Sequence, residues 1–210
     1  MGAGAATQLV NEAITPSVEA LRDIGFRGSG RTFYRVIGEA STVFHVESSR
    51  WNVGKFASFT VRLGVYVPKI AKRLKCEVLP APPQSLKGCM WCPDIGGFLQ
   101  PRTLLGWNIP QDFSVSDAAK DLLRVTQTIA IPVLDRSTDL DGFCESVFQY
   151  GGLASADKLW RLGRTIDAHK CAKAEIQRAK TVFQGKSYEK VVREWVNMHP
   201  LKVKIGRAHV

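Results

Sequence analysis

A chain of 210 residues, 45% hydrophobic and 23% charged, is long enough to bury roughly 70% of its extended surface around one core, and its composition excludes disordered, collagen-like and disulfide-built classes. Its 29 Lys and Arg against 19 Asp and Glu give a net charge of +10. No run approaches 18 consecutive apolar residues, and the opening MGAGAATQLVNEAITP has neither the basic start nor the apolar stretch of a secretory signal, so a cytoplasmic protein without membrane association is expected.

The first element in chain order is a helix. Leu9, Val10, Ala13, Ile14, Val18 and Leu21 recur at helical spacing, Pro16 marks a kink or second start, and Gly25 ends the element. After the turn "GSGR", Thr32 to Ile37 and Ser41 to Ser48 read as strands joined at "GE". The clearest alternation follows: Phe59, Val61, Leu63, Val65 and Val67 on one face, Ser58, Thr60, Arg62, Gly64 and Tyr66 on the other, closed by Pro68. Three strands with short connections predict an antiparallel meander with helices over its apolar side, an α+β fold.

Residues 76–113, rich in Pro and Gly, form a long excursion with room for short strands at Phe98–Leu99 and Leu104–Ile109. Helices are expected from Ser116 to just before Pro132, from about Ser155 to Phe183 with His169 on its apolar stripe, and from Ser187 to Met198. The C-terminal region is therefore helical. No repeat or low-complexity linker interrupts the chain, so one domain spanning 1–210 is expected.

Three stretches, "GFRGSGRTFYR" (25–35), "SSRWN" (48–52) and "FTVRLGVYVP" (59–68), with Cys89, Gly96, Trp107 and "IPVLD" (131–135) following, resemble a family of bacterial proteins catalogued as a domain of unknown function, number 4304. The resemblance covers most of residues 9–145 and the helical tail more loosely. It implies one α+β domain with a mostly antiparallel sheet. It brings no activity and no catalytic residues, and "WCPD" stands here where the family has an arginine in the loop.

The pair in "GCMWCPD" invites a zinc or dithiol reading. A structural zinc site wants two close pairs, whereas Cys89 and Cys92 are one pair, with Cys76, Cys144, Cys171 and four histidines scattered. A redox dithiol sits at the start of a helix, but this one runs into Pro93 and "IGG". Both readings rank below Cys89 as a small packed residue in a folded loop, with Cys92 more exposed. Asp135, Asp139, Asp141 and Glu145 lack the spacing of a calcium loop and read as helix caps and solvated charge. No catalytic residue and no cofactor is expected.

What remains is a surface and a charge distribution. Residues 158–210 carry 13 Lys and Arg against 4 acids, which allows weak, non-specific binding of nucleic acid or another polyanion through the C-terminal helices. Arg62 and Tyr66 share the strand face opposite the valines, and the loop "SRWNVGK" adds Arg50 and Trp51. An indole in such a turn either folds back over the sheet edge or anchors a contact. A protein partner bound through Arg50, Trp51, Arg62 and Tyr66 is the leading expectation, one case being neutralisation of a toxin or other effector.

Overall fold

The computed structural model describes residues 4–99, 106–180 and 185–201, and the chain divides into two compact units, 1–146 and 147–210. In the first, helix α1 (Ala5–Asp23) precedes strands β1 (Arg27–Ser29), β2 (Thr32–Ile37), β3 (Ala40–Ser48) and β4 (Ala57–Tyr66). Short helix α2 (Pro68–Arg73), a 3-10 turn at Ile95–Phe98 and strand β5 (Gly106–Ile109) follow. The five strands are an antiparallel meander in the order β1-β2-β3-β4-β5. Of the expected hidden strands, Gly106–Ile109 forms, Phe98 closes the 3-10 turn instead, and Leu104 lies outside the described residues.

One face of this sheet is core. Phe33, Phe44 and Leu63 align across β2, β3 and β4, as do Val46 with Val61 and Phe59 with Trp107, and all seven are buried. The Phe59 and Trp107 rings stack at 5.3 Å. Against them lies the apolar stripe of α1, Val10, Ala13, Ile14, Val18 and Leu21, all buried, which also packs on α3 (Val115–Val125). Pro16 sits inside α1 without ending it. Arg35 ties this layer together: its guanidinium donates to the Ile24 carbonyl (3.2 Å), pairs with Asp135 and covers the Phe26 ring at 4.8 Å.

Helix α3 was expected to stop before Pro132. It runs on instead through a π-helical turn (Thr126–Ala130) into α4 (Ile131–Arg136), in whose first turn Pro132 falls. In the π turn the Ile131 N–H reaches back five residues to the Thr126 carbonyl, and the proline follows at the start of α4. Helix α5 (Leu140–Tyr150) begins on Asp139, whose carboxylate accepts from the Gly142 N–H (2.9 Å), the capping role read for that acidic stretch.

The second unit holds α6 (Leu153–Arg161), α7 (Thr165–Ala179) and α8 (Gly185–Met198). The single helix expected over 155–183 is thus two, because Gly163 takes a φ of +83° that breaks the run; residues 181–183 lie outside the described residues. His169 is buried and its Nε2 lies 2.5 Å from the His199 carbonyl, within a ring cluster with Trp160 and Trp195. The C-terminal region is therefore helical, and no helix among the described residues is long and apolar enough to cross a membrane.

The other sheet face is covered at one end by the Pro-rich excursion. The Tyr66 hydroxyl accepts from the Leu79 N–H (2.7 Å), Ser41 Oγ donates to the Pro83 carbonyl (2.5 Å), and Leu86 and Cys89 rest on Gly64. A Cβ at Gly64 would lie 2.8 Å from Cys89 Sγ, 2.9 Å from Leu86 Cδ2 and 3.0 Å from Val43 Cβ. Gly64→Ala should therefore lower stability by about 1–3 kcal/mol through overpacking; adding Cys89→Ala should recover part of that loss, read as coupling in a double-mutant cycle of denaturant midpoints. A single cooperative domain should give one melting transition by all probes. Limited proteolysis that yields two separately stable fragments, cut near residue 146, would contradict it.

Candidate functional site

The loop between β3 and β4 is built to hold its shape. Ser49 N–H donates to the Ser58 carbonyl (2.9 Å), and the Asn52 side chain clamps the same residue twice, donating to its carbonyl (3.0 Å) and accepting from its N–H (2.7 Å). Beyond this clamp, Val53 and Phe56 exchange both backbone hydrogen bonds (3.2 and 3.0 Å) around Gly54, whose φ of +57° suits a residue without a Cβ.

On that frame three large apolar side chains stand in solvent. Trp51 is 75% exposed, Val53 71% and Phe56 65%. The indole therefore does not fold back over the sheet edge, and the Arg50 guanidinium covers it at 4.9 Å from the ring centroid. Val53 and Phe56 were not singled out from the sequence. Their signal is the density of apolar residues in "WNVGKF", a turn segment where polar residues are the rule.

Arg62 and Tyr66 share a face as expected, but they lie four positions apart along the strand, about 13 Å, and their surroundings differ. Tyr66 is 1% exposed beneath the excursion, so it braces Leu79 and offers no contact surface. Arg62 lies on the uncovered part of the face. The register places Thr32, His45 and Arg62 side by side across β2, β3 and β4, and an isolated bridge adds Asp94 beyond them.

Each group of this row has a partner nearby. Thr32 Oγ1 and His45 Nδ1 lie 2.8 Å apart. Arg62 donates to the Cys92 carbonyl (3.4 Å) and lies 3.8 Å from the Glu47 carboxylate. Asp94 accepts from the Gly96 N–H (2.8 Å). Burial lowers the His45 pKa, Glu47 opposing this while Arg62 and Arg31 reinforce it. Burial raises the Asp94 pKa, opposed by the Gly96 N–H and Arg62 and reinforced by Glu47. His45 and Asp94 also escaped the sequence reading, since only the strand register joins them to Arg62.

The two thiols lie where "CMWCPD" runs antiparallel beside β4. Leu63 N–H donates to the Pro93 carbonyl and Val65 N–H to the Trp91 carbonyl, both at 2.9 Å. Cys89 and Cys92 are half-buried, and their Sγ atoms face the Ser85 carbonyl (3.3 Å) and the Leu86 carbonyl (3.7 Å). The neighbouring Cys92 thiol and burial push the Cys89 thiol upward, toward the protonated, poorly nucleophilic form. Among the described residues no group of three or more His, Cys, Asp or Glu is placed to hold a metal ion.

A family model described as Domain of unknown function (DUF4304) matches residues 17–136, a span that contains the whole sheet, the hairpin tip and the polar row. No curated protein and no solved structure matches the chain.

The two shifts in the polar row have opposite consequences for stability. A carboxyl raised in the fold contributes fully below its unfolded pKa, about 3.9, and loses that contribution as pH rises through the folded value. Asp94→Asn, which keeps an oxygen for the Gly96 N–H, should therefore gain stability relative to the parent as pH climbs from about 4 to 7. A histidine lowered in the fold contributes above about 6.5 and loses it as pH falls through the folded value. Melting temperatures of both proteins across this range, with a nuclear magnetic resonance titration of the His45 ring, check the signs.

Proposed function

We propose that this chain, which belongs to the DUF4304 family, acts as a non-catalytic binding protein that docks on another protein through its β3–β4 hairpin tip. The observation that carries this reading is the exposure of Trp51, Val53 and Phe56 together on a turn fixed by its own hydrogen bonds. Exposed aromatic groups on a pre-ordered turn lose little conformational freedom on binding and bury much apolar area. With Arg50 over the indole and Lys55 in the turn, the complementary surface is an apolar pocket with an acidic rim. Arg62 lies too far along the strand to be part of that anchor and belongs to the polar row behind it. Neutralisation of an effector protein is one case of such a role. The proposed setting is the cytoplasm, a reading supported by an odd number of cysteines, five, spread along the chain.

Polyanion binding through the C-terminal helices ranks second. Arg161, Arg164, Arg178 and Arg193 are drawn into ion pairs with Asp157, Asp167, Glu175 and Glu189 along the same helices, which leaves less free positive charge than the composition implies. Lys202, Lys204 and Arg207 lie outside the described residues.

Affinity capture from a native lysate, followed by quantitative binding of the captured protein, tests the docking reading. Trp51→Ala should weaken binding by about 2 kcal/mol, roughly 30-fold, and Phe56→Ala by a comparable amount, with melting temperatures close to that of the parent because neither side chain is packed. A Trp51→Ala protein with a lowered melting temperature and unchanged partner affinity would refute the reading. So would retention only by nucleic acid, with affinity that collapses as salt rises.

A further inference from the structure

At the end of the sheet away from the hairpin tip, the first unit holds a cleft of about 340 Å³. Three elements wall it: the β2–β3 turn, the start of α2 with the end of β4, and the turn from α4 into α5. Its floor is apolar, with Ala40, Val67 and Ile70 nearly fully buried beneath it and Ile37 and Leu140 at its sides. Its rim is charged and sorted by wall. Lys69 and Arg73, four residues apart on α2, stand on one side; Glu39 of the β2–β3 turn and Asp139 of the α4–α5 turn stand on the others.

This sorting is informative. Lys69 and Arg73 project from one helix face, because an i, i+4 spacing places side chains above one another. All four charged residues are exposed, and no ion pair among the described residues joins the two cations to the two acids, whereas ion pairs are common elsewhere on the chain. Two positive groups on one wall, two negative groups on the others and an apolar floor between them complement a molecule with the reverse arrangement. The volume lies at the lower end of the range of small-molecule sites, about 300–1,000 Å³, too small for a folded partner to enter.

We infer that the cleft binds a small zwitterion with an apolar body, of the class of a free aliphatic or aromatic α-amino acid. Its carboxylate faces Lys69 and Arg73, its ammonium faces Glu39 and Asp139, and its side chain lies on Ala40, Val67 and Ile70. Asp139 already accepts from the Gly142 N–H through Oδ1, which leaves Oδ2 for the ammonium. The site is separate from the hairpin tip, so its occupancy can be measured without the protein partner.

The test is isothermal titration of the full chain with L-leucine, with 4-methylpentanoate (the same body, carboxylate only) and with 3-methylbutylamine (ammonium only). Leucine should bind, and each single-charge analogue should bind about tenfold more weakly, the expected loss for one charged hydrogen-bonding group. Arg73→Gln and Glu39→Gln should each weaken leucine by a similar factor without lowering the melting temperature of the free protein, since both side chains are exposed. Ala40→Leu, which fills the floor, should abolish binding; where that variant fails to fold, the two rim variants decide. Equal affinity for all three compounds would overturn the inference, as would leucine binding unchanged in both rim variants, or no heat from any compound at about millimolar concentration, the weak limit of useful small-ligand affinity.

Discussion

The pairing of β3 with β4 sets the position of everything else in the first unit. Eight residue pairs run in unbroken register from Ser41 with Tyr66 to Ser48 with Phe59. A slip of β4 by one residue against β3 would turn Val61 and Leu63 outward and Arg62 into the core. The register is held at one end by the clamped hairpin, where Asn52 grips both backbone groups of Ser58. At the other it is held by Gly64, where Cys89 and Leu86 of the excursion lie so close that a Cβ would come within 3 Å of both. Strand β4 is therefore bonded along both edges, to β3 on one and to β5 and the Trp91–Pro93 segment on the other. That is the place of a central strand, although its sequence reads as a half-exposed one.

That difference marks where sequence patterns stop being informative. The meander was legible because strand alternation is local: the β2 and β3 boundaries and the apolar face of β4 follow from period two alone. The burial of Gly64 and Tyr66 was not, because it depends on residues 79–89 folding back over the outer face, a contact between segments far apart in sequence. Likewise Pro132 was a sound stop signal by local rules and was overridden by a π turn, while Gly163, which does end a helix, looked like a residue inside a longer apolar stripe. The hairpin tip was half legible. Trp51 and Arg50 stood out, but Val53 and Phe56 gain their meaning only once Asn52 and Gly54 have fixed which way the turn faces.

The dithiol illustrates the same dependence on context. "CxxC" draws attention as a short pattern, but its chemistry depends on what surrounds the sulfurs. Here the segment serves as an irregular edge strand, Trp91 between the thiols packs edge-on to Phe98 and Phe143 at 5.9 and 5.5 Å, and Cys89 fills the space that Gly64 leaves open. The neighbouring Cys92 thiol and burial both favour the protonated thiol of Cys89 over its thiolate. A small polarisable atom pressed against a glycine is a packing device first, and the pair is explained by the way it seats the excursion on the sheet.

The polar row bears on how the outer face is used. A histidine, an arginine and a carboxylate in register across a sheet would ordinarily be examined as acid–base machinery. Here each has a partner supplied by the fold: Thr32 for His45, Glu47 and the Cys92 carbonyl for Arg62, and the Gly96 N–H for Asp94. A half-buried polar group that lacked such a partner would carry a desolvation cost of about 1–3 kcal/mol, so the row fits a role in holding the 90–96 segment against β4 without strain. The apolar groups at the hairpin tip differ in kind: Trp51, Val53 and Phe56 stand mostly in solvent, on a turn whose hydrogen bonds come from the backbone and from Asn52 and owe nothing to these three side chains. The local fold accounts for the polar residues of the row through their hydrogen bonds, whereas the exposed apolar residues of the tip are the ones that the proposed recognition would use.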